Sequence, residues 1–317
     1  MSNQSSQDKA LAIIYGLALG DALGWPIEFL TMQKINIIYG PDGIQEPPNP
    51  ALVTDDTQTT IAVAEGIIES GQEDIDTLMR AVTRRLIDWS NSPENDRAPG
   101  HTVTEAVRTL EAGVPWRESG GATKGNGSAI RVAPVGFAYQ NDPVRLREVA
   151  HATGLATHAH PASDAATIGA AYLIKLALDG VPPENYVRET LAFTDGISDD
   201  FDEAMLRVGH VQEWTDEYAA ITHLGSGWIG EEAVAMAVYC ATRYRDDFVG
   251  AVRRAVNIPG DSVSVGCITG GLVAARVGLE GIPKDWIARL EHLDDLTDLA
   301  KRLAAADPTK IRLRRGK

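Results

Sequence analysis

VGCITGGLVAARV, running from Val265 to Val277, is apolar or small at nearly every position. A helix built from it has no polar face to turn toward water, so it has to be surrounded by other helices. Gly270 and Gly271 leave room for a neighbouring backbone to approach closely. Three further segments share this all-round apolarity: Leu11 to Leu19, Ala165 to Leu178 and Ala233 to Ala241. Together the four predict the central layer of a compact, all-α, multi-helix domain.

Outside that layer the helical signal turns amphipathic. From Asp74 to Trp89 the apolar residues Ile75, Leu78, Met79, Val82, Leu86 and Trp89 recur at the spacing of one helical face, with Arg80, Arg84 and Arg85 mostly off it. A second helix is written with Asp142 as N-cap, Pro143 at its first position and Gly154 as its stop. Strand-like alternation is nearly absent, and the branched run Ile35 to Ile38 is short and flanked by turn residues. Pro41 to Pro50 and Asn91 to Gly100 read as long surface loops, and the basic stretch Lys310 to Lys317 as a frayed end.

With 317 residues, 44% of them hydrophobic, the chain can bury a large core, and residues 1–317 read as a single domain. Its 44 acidic against 29 basic residues, a formal charge of −15, argue against binding duplex nucleic acid through its phosphates. Cys240 and Cys267 lie among small and apolar neighbours and form no C-x-x-C pair, so they read as core thiols of a reducing compartment. Met1 to Asp8 lacks the pattern of a signal peptide, and no stretch reaches about 18 uninterrupted apolar residues, which predicts a cytoplasmic protein with no membrane partner.

Four segments carry chemistry. Val53-Thr54-Asp55-Asp56-Thr57 sets two carboxylates and hydroxyls at a helix start, where capping alone explains them. Gly260-Asp261-Ser262-Val263-Ser264 repeats the arrangement about 200 residues on, so two oxygen-rich helix starts could face each other around hard cations. Lys124-Gly125-Asn126-Gly127-Ser128-Ala129 exposes backbone N–H groups ahead of a predicted helix, a place for a diphosphate as well as an ordinary turn. Thr157-His158-Ala159-His160-Pro161 puts two histidines at a spacing that cannot share one helical face, which suits a loop role or a structural hydrogen bond better than zinc. Gly225-Ser226-Gly227-Trp228-Ile229-Gly230 matches G-x-G-x-x-G, but no strand precedes it, so a dinucleotide site is set aside.

Taken in order, these segments resemble a known family. Gly16-Leu17-Ala18-Leu19-Gly20-Asp21-Ala22-Leu23-Gly24 with Glu28 behind it, Thr54 to Thr57, Gly125 to Ser128, His158 to Pro161, Gly227 to Glu232 and Gly260 to Ser262 are together similar to the ADP-ribosylglycohydrolase family, from about Lys9 to about Leu303. The resemblance implies an all-helical fold with two metal ions, magnesium or manganese (Mg2+ or Mn2+), at the base of a cleft for ADP-ribose. It makes Thr54, Asp55, Asp56, Asp261 and Ser264 metal ligands, Glu28 a gate or catalytic carboxylate alongside Asp55 and Asp56, Asn126, Gly127 and Ser128 the diphosphate loop, and His158 a neighbour of the distal ligand. Asp21 reads either as a cap of the first helix or as a direct participant.

The implied reaction is hydrolysis of the glycosidic bond at the distal ribose, in an ADP-ribosylated protein, with arginine linkages favoured over serine. One position departs from the family pattern Gly-Asp-Ser/Thr-Asp-Ser/Thr: its second Asp is Val263 here. Valine offers no oxygen, so the chain is expected to hold one cation weakly and to turn over slowly. The alternative is a catalytically inactive ADP-ribose-binding or structural protein.

Overall fold

The computed structural model describes residues 5–71 and 74–306, so the basic stretch expected at 310–317 lies outside the described residues. Regular structure among them is helical: α1 (Ser6–Gly24), α2 (Met32–Tyr39), α3 (Asp55–Ser70), α4 (Ile75–Ser90), α5 (His101–Glu111), α6 (Ala133–Ala138), α7 (Pro143–Leu155), α8 (Pro161–Leu178), α9 (Tyr186–Thr194), α10 (Asp199–Val211), α11 (Glu217–Leu224), α12 (Gly230–Arg243), α13 (Phe248–Val256), α14 (Ser262–Val277), α15 (Lys284–Ile287) and α16 (Leu293–Ala305). Only isolated β-bridges accompany them among the described residues.

The four apolar segments become α1, α8, α12 and α14, and their buried residues belong to one continuous core. The centre is the antiparallel pair α1 and α14. Gly16 faces Gly270, Gly20 faces Gly266 and Gly24 faces Ser262, so closely that a Cβ on Gly20 would lie 1.9 Å from the Gly266 carbonyl oxygen. Only glycine permits that approach. Its consequence is functional, because it brings the end of α1, with Asp21 and Glu28, beside the start of α14, with Asp261 and Ser264. Ser6–Ile27 also meets the length and hydropathy of a membrane span. Asp8, Lys9 and Asp21 interrupt its apolar run, and most of it is buried inside the protein.

Three local expectations change. The branched run at 35–38 is helical, within α2, because the Thr31 hydroxyl caps the Lys34 N–H and starts a helix there. α7 runs through Gly154 to Leu155; that glycine sits where a Cβ would press on Thr167 at 3.3 Å, so it serves packing and not termination. The 41–50 loop is partly interior: Ile44 is buried, and its N–H and carbonyl pair with the Asn257 side chain at 2.8 and 3.0 Å.

Candidate functional site

Asp21 frees the residues around it. It is fully buried in α1, yet it caps α3 and not its own helix. Its carboxylate accepts from the Thr54 N–H (2.9 Å), the Thr54 hydroxyl (2.9 Å), the Thr57 N–H (3.1 Å) and the Thr57 hydroxyl (2.5 Å). With the N-terminal donors of α3 met from outside, Asp55 and Asp56 have little capping to do. Asp55 Oδ2 accepts from the Gly100 N–H at 3.0 Å, whereas Asp56 Oδ2 is buried with no hydrogen-bond partner.

The second helix start is held differently. Asp261 Oδ1 caps α14 through the Ser264 N–H at 3.0 Å, and Oδ2 accepts from Asn126 Nδ2 at 2.7 Å. The same Asn126 nitrogen reaches the Gly227 carbonyl at 2.7 Å, tying three loops together. Glu28, in the turn after the short 3-10 segment Trp25–Ile27, has a buried Oε2 without a partner. Glu28, Asp55, Asp56, Asp261, Val263 and Ser264 all line one cleft of about 320 Å3, shared with Asn126, Gly127 and His158 and within the size range of small-molecule sites.

Burial and mutual repulsion govern the charges. Burial, then the negative charges of Asp261, Asp55 and Asp21, push the Glu28 carboxyl up to about 8. Burial is also the main cause that lifts Asp55 to about 7 and Asp21 to about 6, and that raises Asp56 well above the usual carboxylate range. Asp261 is raised for the same reason. On the other side, burial and then the Arg131 charge lower His158 to about 3.

These shifts fix a stability profile. Glu28 and Asp55 bind a proton more tightly folded than unfolded, since about 8 and about 7 exceed their ordinary 4.5 and 3.8. Stability in a chelating buffer therefore rises as pH falls from about 8.5 to about 7. His158 acts oppositely and only below its unfolded 6.5, where the unfolded chain takes the extra proton. Thermal melts in chelator should show a higher Tm at about pH 7 than at about pH 8.5, and Glu28→Gln should shrink the difference. A Tm that does not change over that interval would contradict the carboxylate repulsion.

The donor set suits a divalent cation: oxygens only, hard, several of them carboxylate, with Asp56 Oδ2 and Glu28 Oε2 unsatisfied by protein. Among the described residues no three His, Cys, Asp or Glu side chains are already drawn into a ligand cluster, so the carboxylates would have to close on an ion. Two expected residues stand back from the cleft wall. Thr54 gives its proton to Asp21, and the Ser128 hydroxyl accepts from Thr167 in the interior at 2.6 Å. The 125–128 loop does not open directly into a helix either: α6 begins at Ala133 and has six residues, so backbone N–H groups, and not a helix dipole, are what this loop can offer an anion.

Sequence reading did not identify the outer wall of the cleft. Ala98, Pro99, Gly100, His101, Thr102 and Val103 form one side, and Phe29 and Trp228 stand at the mouth with ring centroids 5.4 Å apart and planes 17° from parallel. Phe29 sits in the left-handed region at φ 62°, and both rings are substantially exposed, at 69% and 41%. Trp228 belongs to the G-x-G-x-x-G stretch. Glu232 accepts from the Ser226 and Gly227 N–H groups there, holding a plain loop ahead of α12. The two histidines divide their roles: His158 lines the cleft, and His160 caps α8 through the Ala162 N–H at 3.1 Å.

The sequence model of the ADP-ribosylglycohydrolase family matches residues 2–312. The chain belongs to the ADP-ribosylglycohydrolase family. It is 28% identical to the ADP-ribosylarginine hydrolase Tri1 of Serratia proteamaculans, covering 94% of this chain and 79% of that one. It is 26% identical to the ADP-ribosyl-[dinitrogen reductase] glycohydrolase of Rhodospirillum rubrum, over 92% and 93%. A solved ADP-ribosylglycohydrolase-related protein complex superimposes with TM-score 0.76 at 27% identity, covering 96% of this chain and 99% of that chain. Family membership makes the chain a hydrolase of ADP-ribosyl linkages built on the family's all-helical fold.

Proposed function

We propose that this family member releases ADP-ribose from ADP-ribosylated arginine side chains, using Mg2+ or Mn2+ held by Asp55, Asp56, Asp261 and Ser264, in the cytoplasm. The observation that carries the reading is the convergence of Glu28, Asp55, Asp56 and Asp261 on one cleft with two buried carboxylate oxygens unpartnered. Nature rarely leaves such atoms unsatisfied without a functional reason. The arginine preference is supported by the names of the two relatives that act on arginine-linked or dinitrogen reductase-linked ADP-ribose. It is also supported by the chemistry of the mouth: a guanidinium leaving group suits carboxylates inside and the faces of Phe29 and Trp228 outside.

A bound cation supplies Lewis-acid polarisation and a water of lowered pKa. The protein's own residues do the rest. The Gly125 and Gly127 backbone and His158 hold the diphosphate, which aims the distal ribose at Asp55 and Asp56. Glu28 is the carboxyl that moves a proton, because its buried oxygen is free and its raised pKa keeps a proton near neutrality. Water is kept from the bond by Val263, Ile130 and the aromatic pair.

The second reading, an ADP-ribose-holding protein without turnover, is favoured by Val263 and by the spacing of the carboxylates. One experiment separates the two. Peptides carrying ADP-ribose on arginine or on serine are incubated with the chain plus magnesium or manganese, and bound metal per chain is measured in parallel. ADP-ribose release from the arginine peptide with at least one bound ion is the expected result. Tight ADP-ribose binding with no metal and no release from either peptide overturns the enzyme reading.

A further inference from the structure

Two buried side chains that the reaction outlined above does not use, Arg131 and Thr157, stand behind His158. Arg131 is fully buried at 1% exposure, and among the described residues it has no carboxylate partner within salt-bridge distance. Its guanidinium donates to the Gly127 carbonyl (2.8 Å), the Thr153 carbonyl (3.0 Å) and the Thr157 hydroxyl oxygen (2.6 Å). The Thr157 oxygen also lies 2.7 Å from His158 Nδ1.

The direction of that last bond follows from counting. Arginine cannot accept, so it occupies one lone pair of the Thr157 oxygen and leaves the hydroxyl proton to go elsewhere. The alternative acceptor is the Gly154 carbonyl, but it is 3.4 Å away, beyond the range of an O–H···O bond, and it already accepts from the Thr157 and His158 N–H groups at 3.0 and 2.8 Å. The proton therefore points at His158 Nδ1, which must be the bare nitrogen, and the ring proton sits on Nε2. A charged imidazole would have to present a second N–H to the same hydroxyl, and burial beside Arg131 disfavours it further.

Nε2 has its own geometry. A Cβ built on Gly125 would lie 3.1 Å from it, and one on Gly127 would lie 3.3 Å from it, so this edge of the ring faces the glycine loop along the cleft. The backbone holds the ring there: Gly121 accepts from the Ala159 N–H (2.8 Å) and donates to the Thr157 carbonyl (3.0 Å). We propose that Arg131 and Thr157 are positioning residues that lock His158 as a neutral Nε2–H donor, aimed at an anionic oxygen of the nucleotide diphosphate beside Gly125 and Gly127. This rests on the reading of the cleft as an ADP-ribose site. Arg131 does double work, since its bond to the Gly127 carbonyl holds the loop that shares the ligand with His158.

The test uses the full chain labelled with 15N at histidine, with Thr157→Val and Thr157→Ser. Long-range 15N–1H correlation reads the tautomer without any ligand, and calorimetry with ADP-ribose reads the donor role. His158 should show Nε2 protonated and Nδ1 bare in the unmodified protein and in the serine variant. The valine variant should lose that single pattern and bind ADP-ribose roughly tenfold or more weakly, as expected for one lost hydrogen bond to a charged group, while Thr157→Ser retains the affinity. An Nδ1-protonated ring in the unmodified protein overturns the lock, whatever binds. A changed tautomer with unchanged ADP-ribose affinity overturns the donor role alone. Absence of ADP-ribose binding to the unmodified chain overturns the reading of the cleft and the donor role with it, while the tautomer pattern still decides the lock.

Discussion

Val263→Asp is expected to raise the rate of ADP-ribose release on the order of a hundredfold in saturating magnesium or manganese. Val263 lies at the start of α14 and lines the cleft with Asp261 and Ser264 on either side in sequence, yet it is 2% exposed and offers no donor. A carboxylate there would add one oxygen ligand and one negative charge to the cleft that Asp55, Asp56, Asp261 and Ser264 line, so a second cation should bind when they close on it. The same charge has a cost. In chelator it adds repulsion to carboxylates already pushed up by burial and by one another, so the aspartate form should melt below the parent and recover when the cation is added. Rate, metal per chain and Tm with and without chelator check the prediction together. If the valine form already carries two ions and hydrolyses as fast as the aspartate form, position 263 is not a ligand position in this chain.

Asp56→Asn should push stability and activity in opposite directions. Asp56 is buried, one of its oxygens has no partner, and the neighbours that face it, Asp55, Asp21, Asp261 and Glu28, carry the same sign. An amide of the same shape is free of the burial and repulsion that raise this carboxyl, so in chelator the variant should gain about 1 kcal/mol in urea unfolding. With metal and substrate present the loss of an anionic ligand should lower hydrolysis on the order of a thousandfold. A residue that merely supported the fold would show the reverse pattern. An asparagine variant that is less stable in chelator and fully active would remove Asp56 from the site.

The acids that the resemblance singles out differ in their environment. Asp21, Asp55 and Asp56 are all buried carboxylates. Asp21 has four donors on it and is committed to holding α3, which makes it a structural acid beside the cleft. Asp55 has a single strong partner from another chain segment, and Asp56 has an oxygen with none. Local sequence cannot rank these three, because the donors that occupy Asp21 sit more than thirty residues away.

What the sequence determined by itself is the helical architecture and its centre. The unbroken apolarity of Leu11 to Leu19 and Val265 to Val277 leaves burial as the only option, and Gly270 and Gly271 leave room for a neighbouring backbone. The two oxygen-rich helix starts and the departure at Val263 are likewise legible, because each is a local pattern. Tertiary structure decided everything that depends on which segments meet. It turned Asp21 from the cap of its own helix into the cap of α3, moved the Ser128 hydroxyl behind the loop, and brought Phe29 and Trp228 together across about 200 residues of chain. It also oriented His158 through Thr157 and Arg131. The physical reason is range: helix propensity and amphipathic period act within a few residues, whereas hydrogen-bond partners, burial and charge repulsion are properties of neighbours in space.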